Sequence, residues 1–313
     1  MAKQRQRQQG VALITAILIV ALASIIATGM MASQNIGIHR SGNLFLGEQA
    51  LWYSLGAENW ATQVLRRDRE DNEVDHYGEP WAQTMDYLPV EGGFLSGSLI
   101  DLQGRFNVNN LVGSKPDQAA EQFERLLALI EGVDPYAIQV IVQSARDWID
   151  ADIEPRFPEG AEDDYYLGLT PAYRTANRPF TSVSELLLVR GVTREIYQKI
   201  APFLSTLPPD TPINVNTAAP EVLASLSAEI SLEEIAQVVA KREDAAYEDP
   251  QDFLAEAVFA GRQIDTSTVS TDTAHFLLQA QAVVGTTRIT LYSLLFRDQQ
   301  GRTKALIRSK DLI

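Results

Sequence analysis

Hydrophobic and polar positions divide the chain into three regimes. The first is an apolar run, Gly10 to Ala32, preceded by Lys3, Arg5 and Arg7, with no charged residue from Val11 to Ile38. A helix of about 22 residues is roughly 33 Å long, the thickness of a bilayer's hydrocarbon core. Basic residues ahead of the run, with none immediately after it, place the N-terminus on the cytoplasmic side and the rest of the chain beyond the membrane. From Asn35 to Arg69 the spacing turns amphipathic. Leu44, Leu51, Leu55 and Val64 form an apolar stripe with Trp52 and Trp60 nearby, and charge thickens at Arg66 to Glu70. Gly37, Gly42, Gly47 and Gly56 each weaken such a helix by up to ~1 kcal/mol relative to Ala. The pattern predicts one long helix, half in the membrane and half against a sheet. An anchor followed by a separate soluble helix fits the periodicity equally well.

The second regime is β-like and lies in two places. Asn72 to Gly93, with Pro80 and Pro89, reads as a polar connection. Gly97 to Val108 reads as a hairpin turning at Gln103-Gly104. Far downstream, His275 to Val284, Thr287 to Phe296 and Thr303 to Ile307 form a meander broken by Gly285 and by Asp298 to Gly301. The third regime, Leu111 to Thr273, is helical in pattern, with stretches at 121–131, 135–149, 182–189, 194–204, 220–226, 232–242 and 251–259. A helical block of roughly 160 residues therefore interrupts a sheet, and its two ends are expected to leave neighbouring strands. The predicted class is α+β: a long N-terminal helix packed on an antiparallel sheet, with an all-helical domain inserted in the sheet. The predicted divisions are a leader at 1–10, a membrane part at 11–32, an outer helix at 33–70, a first sheet part at 71–111, the inserted domain at 112–273 and the closing strands at 274–313.

Composition changes this picture in two ways. The net charge is −15, or about −18 without the three basic residues of the leader, which opposes binding to nucleic acid or anionic lipid. There is no Cys, so no disulfide is available. The 45% hydrophobic content suffices for a sizeable core.

Candidate chemistry concentrates in an acidic segment. Asp147, Asp150 and Asp152 close a helical stretch, and Glu154, Glu159, Glu162, Asp163 and Asp164 follow in a loop with Pro155 and Gly160. So many carboxylates repel one another unless neutralised, and calcium takes six to eight oxygens on irregular backbone; Asp147, Asp150, Asp152, Glu162, Asp163 and Asp164 are the expected ligands. The segment is not an EF-hand. A solvated acidic loop with Arg146, Arg156 and Arg174 as partners is the other reading. A second segment, Ile213-Asn-Val-Asn-Thr-Ala, looks like a helix-hairpin-helix DNA module. Its following turn, Leu226-Ser-Ala-Glu-Ile-Ser, lacks the glycines that let backbone reach a phosphate. Asn214, Asn216 and Thr217 then serve as helix caps, as do Asn107, Asn109 and Asn110. His39, His76 and His275 have no metal-ligand spacing, and neither a Gly-x-Ser-x-Gly nor a P-loop is present. Paired carboxylates would suit glycan hydrolysis, but no aromatic-lined cleft accompanies them. No enzyme activity is expected.

The basic leader ending in Gly10, followed by Val11-Ala-Leu-Ile-Thr15, resembles the prepilin class of type IV pilins and type II secretion pseudopilins. That resemblance implies cleavage by a prepilin peptidase between Gly10 and Val11 and methylation of Val11. A conventional signal-peptide cut after Ala21-Leu22-Ala23 would leave Ile25 and Ile26 of the apolar run beyond the site. Most members of the class carry Glu at the fifth mature position, where this chain has Thr15. A membrane carboxylate needs a positive partner, and in this class that partner is the amine of the preceding subunit. Thr15 thus matches a subunit with none ahead of it, the pattern of the minor pseudopilin K (GspK) family; a small polar residue merely tolerated in a membrane helix is the other reading of this position. The stretches Asp147-Trp-Ile-Asp-Ala-Asp, Gly160-Ala-Glu-Asp-Asp-Tyr-Tyr-Leu, Asn177-Arg-Pro-Phe and Ser184-Glu-Leu resemble the same family, whose pilin fold carries a large helical domain. The resemblance implies a pseudopilus tip shared with minor pseudopilins of the I and J types, delivery through an inner-membrane assembly platform, calcium in the helical domain and no nucleic acid. The remaining alternatives are a type IV pilus minor pilin and a membrane-anchored periplasmic DNA-binding protein.

Overall fold

The computed structural model describes residues 9–228 and 230–310; the leader's Lys3, Arg5 and Arg7, and Glu229 of the 226–231 turn, lie outside the described residues. Helix α1 (Gln9–Asp71) runs unbroken for 63 residues, roughly 95 Å at 1.5 Å per residue. Every side chain from Val11 to Phe45 is exposed. Inside a bilayer the helix must satisfy its own polar groups. Ser24 and Thr28 do so by donating to the carbonyls of Val20 and Ser24, each at 2.8 Å. The glycines do not interrupt α1.

Two strands follow, β1 (Met85–Val90) and β2 (Gly93–Asp101). The hairpin therefore lies earlier than the pattern predicted, turning at Glu91-Gly92, with β1 inside the stretch read as a polar connection. Pro89 marks β1 as an edge strand, and its exposed residues carry little apolar signal. Gly93 is required where β2 begins its pairing with the neighbouring chain segment at Val283–Val284, because a Cβ there would lie 1.7 Å from the Val283 carbonyl oxygen.

Between β2 and the closing meander comes the helical block. Its helices are α2 (Pro116–Leu129), α3 (Pro135–Ile149), α4 (Asp163–Tyr166), α5 (Arg194–Ile200), α6 (Pro220–Ala224), α7 (Leu232–Asp244) and α8 (Pro250–Leu254). Two short parallel bridges fasten it, β3 (Phe106–Asn107) to β4 (Leu204–Ser205) and β5 (Ile213–Asn214) to β6 (Val269–Ser270). One contiguous core fills the block, including Phe106 stacked on Phe123 at 5.2 Å and Trp148 edge-on to Tyr166.

The meander is β7 (His275–Val284), β8 (Thr287–Arg297) and β9 (Thr303–Ser309), close to the predicted limits. The five-stranded sheet has the order β1-β2-β7-β8-β9, antiparallel throughout. β2 and β7 pair from Gly93↔Val284 to Asp101↔Phe276, so the block enters and leaves at the same end of two neighbouring strands. α1 lies across this sheet. Its buried face is Ala50, Ser54, Glu58, Ala61, Leu65 and Asp68, packed with Trp81, Phe276, Leu278, Ala280 and Leu295. Of the predicted stripe, Leu44 is exposed and Leu51, Leu55 and Val64 are only half-buried.

The direction of the layer follows from its two ends. The β7–β8 turn at Gly285 sits beside Leu46, where α1 first meets the sheet. At the other end Asp68 meets Arg297 of β8, beside the residues from which the block departs. The block is therefore at the end of the layer farthest from the apolar half of α1.

Candidate functional site

The acidic segment folds as a loop between α3 and α4. Asp150 caps the end of α3, and Glu162 precedes the first turn of α4. The loop wraps around Asp147, which is fully buried and accepts the Arg156 backbone N–H at 3.1 Å. Gly160 is required beside it, since a Cβ would lie 2.1 Å from Asp147 Oδ2. Burial pushes the Asp147 carboxyl up to about 6, against the lowering effect of the Arg156 N–H.

Of the six carboxylates expected to bind a metal, three converge. Ligand oxygens of Asp150, Asp152 and Glu162 all lie within 4.8 Å of one another. Glu162 is 3% exposed, neither of its oxygens has a well-formed hydrogen bond, and Asp150 Oδ1 is likewise unpartnered. Burial, then the charges of Asp147 and Asp150, pushes Glu162 up to about 7. The other three point elsewhere. Asp147 organises the loop. Asp163 accepts from Arg174 at 2.9 Å and from the Thr175 N–H and hydroxyl at 3.1 Å. Asp164 is exposed. Of the expected basic partners, Arg156 reaches Asp150 and Arg174 reaches Asp163, while Arg146 turns away to Asp117. Three convergent hard oxygen donors, with buried oxygens lacking donors, fit a divalent cation such as calcium.

The 213–217 segment has a different use from either expectation. Helix α6 starts after Ala219, so Asn214, Asn216 and Thr217 do not cap it. They join distant chain segments instead. Asn214 Nδ2 donates to the Asp75 carbonyl and to Asp101 Oδ2, each at 3.0 Å, and Asn216 exchanges two bonds with the backbone of Tyr247. Thr217 and Thr273 hydroxyls also donate to Asp101, the last residue of β2. Alongside, Arg297 is 3% exposed, donates to Asp68, Asp75 and the Thr273 carbonyl, and lies 5.0 Å over the Phe276 ring. This network clamps the block to the sheet. Sequence reasoning missed it because Asp75, Asp101, Asn214, Thr273 and Arg297 share no local pattern. Similarly, Asn107 caps only the short turn at Val108 and otherwise holds Leu207 and Pro208, while Asn109 bridges Phe180 and Leu207.

On the membrane side, Gly10 and Val11 lie within α1. The Thr15 hydroxyl is satisfied on its own helix by the carbonyls of Val11 and Ala12, both at 3.0 Å. Trp52 and Trp60, both more than half exposed, flank an apolar groove of about 360 Å³ between α1 and β2.

Residues 104–209 and 213–272 match the two family models described as type II secretion system (T2SS), protein K. The chain is similar to type II secretion system protein K of Pseudomonas aeruginosa, with 38% identity covering 97% of this chain and 93% of that protein. The corresponding protein of Aeromonas hydrophila is 33% identical, with 97% of each chain covered. Among solved structures, a chain of the GspK-GspI-GspJ complex from the enterotoxigenic Escherichia coli type 2 secretion system has a similar fold. The TM-score is 0.78 at 27% identity, covering 86% of this chain and 98% of that one.

Proposed function

The chain belongs to the type II secretion system protein K family, and from that premise we propose that it caps or initiates the pseudopilus tip together with minor pseudopilins of the I and J types. It is a single-pass minor pseudopilin, and its part in export is mechanical rather than catalytic. Prepilin peptidase removes residues 1–10, so that Val11 becomes the methylated N-terminus. The N-terminus faces the cytoplasm and the assembly platform, with 33–313 in the periplasm. Within that part, 71–111 and 274–313 form the pilin body and 112–273 the inserted domain.

The observation that carries the tip assignment is the position of the helical block, at the end of the helix–sheet layer farthest from the membrane half of α1. A filament repeats one contact indefinitely, and a block of this size on every subunit would crowd that repeat. Thr15 agrees with this placement. Its hydroxyl is satisfied within α1 and offers no charge to the amine of a subunit ahead. The exposed apolar strip through Trp52 and Trp60 continues the membrane half of α1, so a partner's parallel N-terminal helix is its natural occupant. Asp150, Asp152 and Glu162 would hold calcium, which supplies the positive charge that buried Asp150 Oδ1 and the two Glu162 oxygens lack, with Asp152 completing the group from the exposed side.

Labelling the full chain in assembled pseudopili tests the placement. One copy at one end is expected, with shorter filaments when the protein is in excess and impaired secretion when it is absent. Label spaced regularly along the shaft would refute the tip assignment.

A further inference from the structure

The acidic loop contains a cation of its own. Arg156 Nη2 donates to Asp150 Oδ2 at 2.9 Å, and its Nε stands 3.4 Å from Asp147 Oδ1. The guanidinium thus covers one edge of the cluster, while Asp150 Oδ1 and both oxygens of Glu162 lack a well-formed hydrogen bond. We propose that Arg156 is a tethered counter-ion that competes with the divalent cation for Asp150 and so sets the affinity of the site; this rests on the reading of Asp150, Asp152 and Glu162 as calcium ligands.

The competition follows from the shape of the two positive species. A guanidinium is a planar fork that matches one carboxylate edge at a time. A calcium ion gathers six to eight oxygens around a point and draws all three carboxylates together. Both need Asp150, and two positive charges cannot share it closely. The structure also gives Arg156 a way out. Its side chain is 39% exposed, so it can swing into water. Its backbone stays fixed, because the N–H is held by Asp147 and the carbonyl accepts from the Gly160 N–H at 2.7 Å. Exchange therefore requires a side-chain rotation and no refolding of the loop. Without the ion, Arg156 limits the repulsion between Asp147 and Asp150; with it, Arg156 is released.

Arg174 provides an internal control. It also carries a guanidinium bound to a carboxylate of the same segment, but its partner is Asp163, outside the convergent set, and its side chain is 72% exposed. Removing either Arg lowers the local charge by one; only Arg156 occupies a proposed ligand.

The test is calorimetric titration of calcium chloride into the full chain in detergent micelles, with thermal melts in chelator. Arg156→Gln should tighten calcium binding on the order of tenfold, given one close like charge removed, and should lower Tm in chelator. Arg174→Gln, altering an exposed pair, should change the affinity by no more than about twofold. Arg156→Lys keeps the charge without the fork and should fall between wild type and Arg156→Gln, which serves if the Gln variant folds poorly. Equal affinities for wild type and the Arg156 variants would overturn the competition while leaving calcium binding intact. An equal gain from Arg174→Gln would overturn it in favour of a general field effect. Absence of calcium binding in wild type and Arg156→Gln alike would overturn both the competition and the calcium reading.

Discussion

Glu58 is buried where α1 meets the sheet and His275 at the start of β7 beside Gln103 and Phe296, and the protein treats these two ionisable groups differently. Burial by itself would raise the Glu58 carboxyl. Paired hydrogen bonds from Arg308 at 2.8 Å and one from Ser293 at 2.6 Å outweigh it, and the carboxyl is held below its usual range. His275 has no such counter-charge. Burial pushes it down to about 4, and its Nδ1 lies 3.2 Å from Gln103 Oε1. The unfolded chain binds a proton at His275 below about pH 6.5, while the folded chain does not until about 4. Protons thus favour the unfolded state in that window, and stability falls as pH drops from about 6.5 to 4, by roughly 3 kcal/mol from this residue. Denaturant unfolding of wild type and His275→Gln at pH 7.5 and 4.5 should reveal it as a larger acid loss in wild type. Equal losses would show that His275 does not carry this acid sensitivity.

At the scale of the element, α1 illustrates how a long helix selects its buried face. Leu residues at helical spacing attract attention in the sequence, yet the sheet takes Ala50, Ala61 and Leu65. A helix crossing a sheet needs small side chains at its closest approach, here against Ala280 and Ala282, and larger residues fill the flanks. The face can be tested by truncation. Leu65→Ala should cost about 2–5 kcal/mol, as for a fully buried Leu. Leu44→Ala, on the exposed part of α1, should stay within about 0.5 kcal/mol. Comparable costs for the two would contradict the observed packing.

For the whole molecule, the decisive feature is that a buried polar network bridges two cores. The block's core and the helix–sheet core are separate clusters, joined through Asp101, Asn214, Thr217, Thr273, Asp75 and Arg297. Buried polar groups of this kind cost free energy when half satisfied, so the network tolerates one arrangement of block and sheet. The double variant Asn214→Ala, Thr217→Val removes two of the donors to Asp101 and should destabilise the full chain by about 1–3 kcal/mol. Spin labels at Arg67 on α1 and Glu124 on α2, both exposed, should then report a broader distance distribution. A distribution as narrow as in wild type would mean that the block is held elsewhere.

The sequence by itself determined the features that depend on neighbouring residues. The apolar run fixed the membrane segment, alternation fixed the three closing strands, and the long helical stretch between strand-like segments implied the insertion. Each is a periodicity read within about ten to twenty residues. The tertiary structure decided what depends on residues far apart. It chose Ala50, Ala61 and Leu65 as the face of α1, because the contour of the sheet sets which side chains fit. It moved the first hairpin to Met85–Asp101, because β1 is an exposed edge strand whose partner supplies its order. It turned Asn214, Asn216 and Thr217 from caps into bridges, because their partners are more than twenty residues away or in the pilin body. In the acidic segment, composition marked the whole run of carboxylates. Only the fold around Asp147 selected Asp150, Asp152 and Glu162, because convergence of oxygens is a property of three-dimensional distance, which spacing along a loop does not encode.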